Sequence, residues 1–226
     1  MRVAVQIPIK YKTSTRVPDK NFRELNGKPL GCWLLDELTE KCPNEWDIYI
    51  DSESEKTFTF FEQKYDNRLK FHKREEWYAS DEANGNHLIN QFVIKNPDYD
   101  LYIQLFVTAV TLTGEVISAS VEKFINSLDK YDSMFLVTRE NGWVWYNKDS
   151  VNYNYKIPNG LPRTQDANYF KETTGLYAIT KEAVLKYATR IGSAPLLFEV
   201  EEKHALDIDT MEDFYKSQNI LPREKK

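Results

Sequence analysis

Cysteine is scarce. The 226 residues hold two, Cys32 and Cys42, ten apart with no second pair and no histidine beside them. A disulfide framework needs several pairs and a zinc site needs clustered ligands, so neither is indicated, and both thiols are expected to be buried or idle. Histidine is no richer: His72, His87 and His204 are scattered, and none earns a catalytic role. Long apolar runs are missing. No stretch approaches the ~20 residues of a membrane span, and MRVAVQIPIK is too short and strand-like for an export signal. The expectation is a soluble, unexported, cytoplasmic protein with no membrane partner. Positive charge is in deficit, with a formal net charge of -5, which disfavours nucleic-acid binding and requires any anion site to be local. Two nucleotide signatures are also absent, the GxxxxGK loop and the GxGxxG fingerprint.

What is present argues for one well-packed domain. Apolar residues make up 41%, with 5 Trp, 14 Tyr and 12 Phe, which excludes a disordered chain. The length suits a single domain over 1–226, with room for an insertion. Strand and helix patterns alternate: strand 3–7, helix 29–41, strand 46–51, helix 53–64, strand 69–73, helix 86–95, strand 99–106, helix 114–128, strand 133–138. This rhythm predicts an α/β, doubly wound, mainly parallel sheet of Rossmann-like type. Right-handed crossovers then put the post-strand loops on one edge, where ligands bind at a switch in strand order. The rhythm breaks at 140–168, a tyrosine-rich and turn-rich insertion. Two readings of it stand, an arm that packs on a partner subunit and an ordered surface excursion. The pattern resumes with strand 174–180, helix 181–190, strand 196–200 and a final helix after Asp209.

Three stretches carry candidate chemistry. IPIKYKTSTRVPDKN (7–21) follows the first strand with Lys10, Lys12, Thr13, Ser14, Thr15, Arg16 and Lys20 before the next helix. Backbone amides, hydroxyls and cations between a strand and a helix suit the phosphates of a nucleotide, while the competing reading is a solvated basic loop. HALDIDTMEDF (204–214) reads as a strand with Leu206 and Ile208 inward and Asp207 and Asp209 together on the opposite face. Two such carboxylates can share Mg²⁺ with phosphate oxygens. Against this, Asp209 with Glu212 three residues on also reads as a helix N-cap of the capping-box type. REEWYASD (74–81) offers Arg74 as a fork for phosphate or a base carbonyl, and Ser80 with Asp81 as a cap for the following helix.

Taken in order, IPIK, RVPDKN and LNGKPL near the start, IYIDSESE, the Arg74 to Asp81 spacing, VTAVTLTG, LPRTQD, ETTGLYAIT and LDIDTMEDF resemble the acylneuraminate cytidylyltransferase family, which includes CMP-sialic acid and, more distantly, CMP-KDO synthetases. The resemblance implies a single nucleotidyltransferase domain of the nucleotide-diphospho-sugar transferase type. It further implies a homodimer whose arm at 140–168 reaches the neighbouring site, and Mg²⁺-dependent transfer of CMP from CTP to an acidic sugar. It places nucleotide binding on Pro8, Lys10, Thr13, Ser14, Arg16, Lys20, Asn21, Arg74, Asp81 and Thr108. Acceptor binding falls on Gln104, Arg163, Gln165, Glu172 and Thr174, and catalysis on Lys20, Asp207 and Asp209, with both aspartates as metal ligands.

The chain departs from the family pattern at two places. YKTST stands where the family has a shorter glycine-rich turn, with Lys10 in place of an arginine. In FVTAVTLTG, Phe106 and Leu112 replace a glutamine and an arginine, and Gln104 lies two residues earlier on the same face as a substitute. These changes point to an altered acceptor. The competing expectations are a cytidylyltransferase for a phosphonate or phosphorylated small molecule, and a binding protein without turnover.

Overall fold

The computed structural model describes residues 1–11 and 16–223, so the expectations for Lys12, Thr13, Ser14 and Thr15 lie outside the described residues. Strand β1 (Val3–Pro8) is followed by a small hairpin, β2 (Glu24–Leu25) and β3 (Lys28–Pro29), and by α1 (Leu30–Lys41). Then come β4 (Asp47–Ser52), α2 (Glu55–Tyr65), β5 (Leu69–Lys73), α3 (Gly85–Lys95), β6 (Leu101–Leu105) and α4 (Gly114–Ile125). Strand β7 (Ser133–Asn141) leads into a second small hairpin, β8 (Trp145–Tyr146) and β9 (Asp149–Ser150). The chain returns as β10 (Asn168–Thr180), then α5 (Lys181–Tyr187), β11 (Pro195–Glu199) and α6 (Met211–Ile220).

Seven strands form one sheet in the order β11–β7–β10–β6–β1–β4–β5. All neighbours are parallel except β10, which is antiparallel to both β6 and β7. Connectivity explains the exception, because β10 is the direct return of the excursion that leaves β7, and a direct return reverses the strand. Strand order switches at β1, which pairs with β4 on one side and β6 on the other. The crevice at the carboxyl ends of β1 and β6 is where such a sheet binds ligands.

Alternation in β1 decides which layer each side chain joins. Val3, Val5 and Ile7 enter the larger core with Leu34 and Leu38 of α1, Phe61 of α2, Ile117 and Phe124 of α4 and Phe214 of α6. Ala4 faces the opposite layer, with Ile89 and Phe92 of α3 and Val184 of α5. Both faces of the central strands are therefore covered, which is why they read as nearly continuous apolar runs. Among the described residues no helix is long and apolar enough to cross a membrane.

Several elements differ from the sequence expectation. Residues 205–209 form no strand, because the segment has no ladder and is tied to the sheet side by the backbone bond from Ile208 N to Thr108 O at 3.1 Å. Asp209 does not cap α6. Thr210 does, accepting from Asp213 N at 3.2 Å while Asp213 Oδ2 accepts from Thr210 N at 2.9 Å. Helix α3 starts at Gly85, capped by Asn84 and His87 rather than by Ser80 and Asp81. Helix α5 stops at Tyr187, where Ala188 turns left-handed with φ 53°. Strand β10 begins six residues before 174, so it pairs with an extended β7 and narrows the excursion to 142–167. The two free cysteines are buried as expected, and burial pushes both thiols up from their ordinary range.

Candidate active site

The Asp-Ile-Asp segment is fixed at its middle residue. Ile208 is fully buried; its N–H donates to the Thr108 carbonyl beyond β6, and its own carbonyl accepts from Lys20 Nζ at 2.9 Å. With Ile208 pinned in the core, Asp207 and Asp209 both line a cleft of about 450 Å³. Asp209 Oδ1 lies 3.2 Å from Arg16 and 3.5 Å from Lys20. Asp207 Oδ2 accepts from the Thr174 hydroxyl, while Asp207 Oδ1 is buried with no hydrogen-bond partner.

Thr174 reaches that carboxylate because of a bulge. Between Glu172 and Tyr177 of β10 the register shifts, residues 173–176 standing opposite the single residue Leu136 between Val137 and Phe135 on β7. The surplus residues push the chain out of the ladder at the cleft, and Gly175 O accepts from Phe106 N at 3.2 Å there. Bulges commonly re-aim a side chain next to a site in this way.

The opening loop supplies the facing cations. Pro8, Lys10, Arg16, Lys20 and Asn21 all line the same cleft. Asn21 shapes the turn, its Nδ2 donating to Lys10 O at 3.1 Å. Lys10 Nζ bridges to Asp81 at 3.0 Å, and that bond holds the Asp81 carboxyl below its usual range. Four cations, Lys10, Arg16, Lys20 and Arg190, thus meet four carboxylates, Asp19, Asp81, Asp207 and Asp209, in a single cleft. Beyond Lys10 and Asp81 an open hollow of about 1120 Å³ adjoins, with Tyr11, Phe22, Phe60 and Trp77 on its walls.

Arg74 does not present its fork to this space. It is 4% exposed, with Nη2 3.4 Å from Glu53 and Nη1 3.9 Å from Asp51, because the β4–β5 pairing seats it against both carboxylates. Glu53 in turn accepts from Tyr11 N at 2.8 Å, which links Arg74 to the loop. Gln104 is likewise behind the wall: at 1% exposed, its Nε2 donates to Gln6 Oε1 at 2.9 Å and to Gly85 O at 3.0 Å. Its Oε1 has no hydrogen-bond partner. Gln6 donates onward to Asp51, completing a buried polar row across β6, β1 and β4. Burial pushes the Asp51 carboxyl up to about 7, against the opposing pull of Arg74 and the Gln6 amide.

The remaining expected residues divide. Thr108 and Thr174 line the cleft. Glu172 sits at its margin, accepting from the Tyr177 hydroxyl and lying 3.6 Å from Arg190. Arg163 and Gln165 are exposed in the excursion, where Arg163 pairs with Asp166 at 3.1 Å, and neither reaches the cleft of its own chain. Phe106 lines the cleft and Leu112 is buried. Arg190, which sequence reasoning missed, also lines it. No local pattern marks this residue. It follows α5 in sequence and meets the site only through the turn at Ala188.

Comparisons with known proteins bear on the family and the fold. A cytidylyltransferase family model matches residues 12–222. The N-acylneuraminate cytidylyltransferase of Streptococcus agalactiae is 21% identical over 212 residues, covering 89% of this chain and 49% of that protein, so the chain spans about half the length of that relative. The pseudaminic acid cytidylyltransferase of Campylobacter jejuni is 24% identical over 208 residues, covering 88% of each. Among solved structures, CMP:2-keto-3-deoxy-manno-octonic acid synthetase complexed with CTP superposes with a TM-score of 0.69 at 15% identity, covering 97% of this chain and 98% of that one. The 4-diphosphocytidyl-2C-methyl-D-erythritol synthase of Anaerococcus prevotii gives 0.64 at 13% identity, covering 96% and 94%. The fold is that of the nucleotide-diphospho-sugar transferases, with a mixed, mostly parallel seven-stranded sheet. Because the family model runs through nearly every element that builds the cleft, from the residues before Lys20 to those after Asp209, the chain belongs to the cytidylyltransferase family.

Proposed function

We propose that this protein transfers CMP from CTP to an acidic sugar of the nonulosonic type, releasing pyrophosphate. The observation that carries the reading is the juxtaposition of Asp207 and Asp209 with Lys10, Arg16 and Lys20 at the strand-order switch. The triphosphate lies along these cations. The nucleoside lies in the adjoining aromatic hollow, whose Trp77 and Tyr11 offer ring faces for stacking. The acceptor enters from the β6–β10 side, past Phe106 and Thr174, with the buried amide of Gln104 shaping the wall behind.

The two aspartates fit Mg²⁺. Asp207 Oδ1 is a buried acceptor without a donor, and both ligands are hard oxygens. Among the described residues no third carboxylate, histidine or cysteine completes a cage. That matches an ion that takes one or two protein carboxylates together with substrate phosphates. When bound there, Mg²⁺ supplies charge neutralisation for the phosphates. In the transfer itself the acceptor hydroxyl oxygen bonds to the α-phosphorus, the bond to the bridging oxygen of pyrophosphate breaks, and the hydroxyl proton passes to solvent. Lys20, held between Ile208 O and Asp209, and Arg16 beside it face the charge that develops on the phosphates. The excursion at 142–167 is proposed as a dimerisation arm, which would carry Arg163 and Gln165 to the partner's cleft.

The test is pyrophosphate release from CTP with Mg²⁺, using N-acetylneuraminate, pseudaminate, 2-keto-3-deoxy-manno-octonate, a phosphonate and a phosphorylated polyol as acceptors, other nucleoside triphosphates as controls, and EDTA as the metal-free arm. Release with CTP and one sugar acid, abolished by EDTA, is expected. Release only with the phosphonate or phosphorylated acceptor would refute the acceptor class. CTP binding without release from any acceptor would refute turnover.

A further inference from the structure

Arg190 occupies a prepared position. Its backbone N–H donates to Asn86 Oδ1 at 3.0 Å, tying it to the first turn of α3. Its guanidinium lies over the Tyr177 ring at 3.7 Å from the centroid, with Phe106 at 6.0 Å. The Tyr177 hydroxyl is also a hydrogen-bond partner of this guanidinium, whose five N–H donors in one plane exceed what one hydroxyl can engage. The carboxylate beside it, Glu172 Oε1, stands at 3.6 Å, beyond hydrogen-bond length, and already accepts from the Tyr177 hydroxyl. The side chain is 24% exposed, so its charge is partly withdrawn from water.

Gly85 makes the space. A Cβ at that position would come within 2.5 Å of Arg190 Nη1. Gly85 does not have the left-handed φ that favours glycine, so the guanidinium rather than the backbone benefits from it there. As the first residue of α3, it also turns the positive end of an 11-residue helix toward the same corner. Arg190 lines the cleft that holds Asp207 and Thr174 but not the aromatic hollow beyond Lys10, which separates it from the proposed nucleoside position.

We propose that Arg190 recognises the acceptor, gripping its carboxylate through the N–H donors that Tyr177 and Glu172 leave unengaged; this rests on the transfer reading above. A planar fork matches a carboxylate in two parallel bonds, which a lysine cannot reproduce. The acceptor side of the cleft is thereby selective for an acid over the corresponding neutral sugar.

The experiment uses the full chain, CTP, Mg²⁺ and the acceptor that turns over in the panel, beside the same acceptor as its carboxamide. In Arg190→Met the KM for the acid is expected to rise about 10- to 100-fold, the range of a lost hydrogen bond to a charged group. Preference for acid over carboxamide should collapse, and the Kd for CTP by calorimetry should stay within about twofold. Arg190→Lys should recover only part of the preference. Gly85→Ala should raise the acid's KM in the wild-type background and add little in Arg190→Met, because both act through one guanidinium. Undiminished acid preference in Arg190→Met, with turnover intact, overturns this inference and leaves the transfer reading standing. Equal weakening of CTP and acceptor assigns Arg190 to the fold and overturns it too. If no acceptor turns over in wild type, the transfer reading falls and this inference with it.

Discussion

Asp209 and Thr210 are neighbours with separable work, and substituting each in turn tests that separation. Asp209→Asn removes a charge whose partners are Arg16 and Lys20, at 3.2 and 3.5 Å, with the Asp209 side chain 49% exposed. Ion pairs this open contribute about 0–1 kcal/mol, and Lys20 keeps its bond to Ile208 O, so the fold should lose little. Thr210→Ala removes the reciprocal cap of α6, which holds Phe214 in the core. Loss of such a cap costs about 1 kcal/mol, or roughly 2–4 °C in Tm for a domain of this size. Turnover should invert the order: Asp209→Asn falls by at least about 10²-fold, as the proposed role of Asp209 as a metal ligand requires, while Thr210→Ala stays within about tenfold of wild type. Thermal melting by circular dichroism and pyrophosphate release on the same preparations read both effects. Wild-type turnover in Asp209→Asn would refute its place in the chemistry. A Tm lower than that of Thr210→Ala would make Asp209 a structural residue.

Two further outcomes follow from the buried row and the arm. The folded-state Asp51 carboxyl, at about 7, titrates above its ordinary 3.8, so between those values the folded protein binds more protons than the unfolded chain. The stability it contributes is fully present below about pH 4 and is lost as pH rises through about 7. Asp51→Asn should therefore gain stability relative to wild type between pH 5 and pH 8 in urea denaturation, and a constant offset between the two would refute the assignment. In the proposed arm, Trp145 and Tyr146 are 51% and 73% exposed, and replacing both by serine should convert the proposed dimer to an inactive monomer in analytical ultracentrifugation. An active monomer would refute the arm's proposed role, as would a dimer that survives both changes.

Local sequence signals carried far for the elements and poorly for the contacts between them. The period-2 and period-3.6 patterns located β1, α1, β4, β5, β6 and α4 to within a few residues, because those periods follow from the backbone geometry of a half-buried element. Caps were less legible. Ser80, Asp81 and Asn84 compete for one helix start and Asp209 and Thr210 for another, and the caps fell to Asn84 and Thr210. The antiparallel reversal of β10 and its bulge left no periodic trace, although together they aim Thr174 at Asp207.

By itself the sequence determined the alternating α/β order, the cationic loop after the first strand, the Asp-Ile-Asp pair and, through their order along the chain, the cytidylyltransferase family. Each of these is written in consecutive residues or in a fixed succession of short motifs. Only the tertiary structure decided that Arg74 is walled in by Asp51 and Glu53, that Gln104 bonds to Gln6, and that Arg190 stands in the cleft over Tyr177. These partners are brought together by strand pairing and packing. Where a guanidinium points depends on which distant carboxylates, rings and glycines surround it, and that is set by the sheet order rather than by neighbours in the chain.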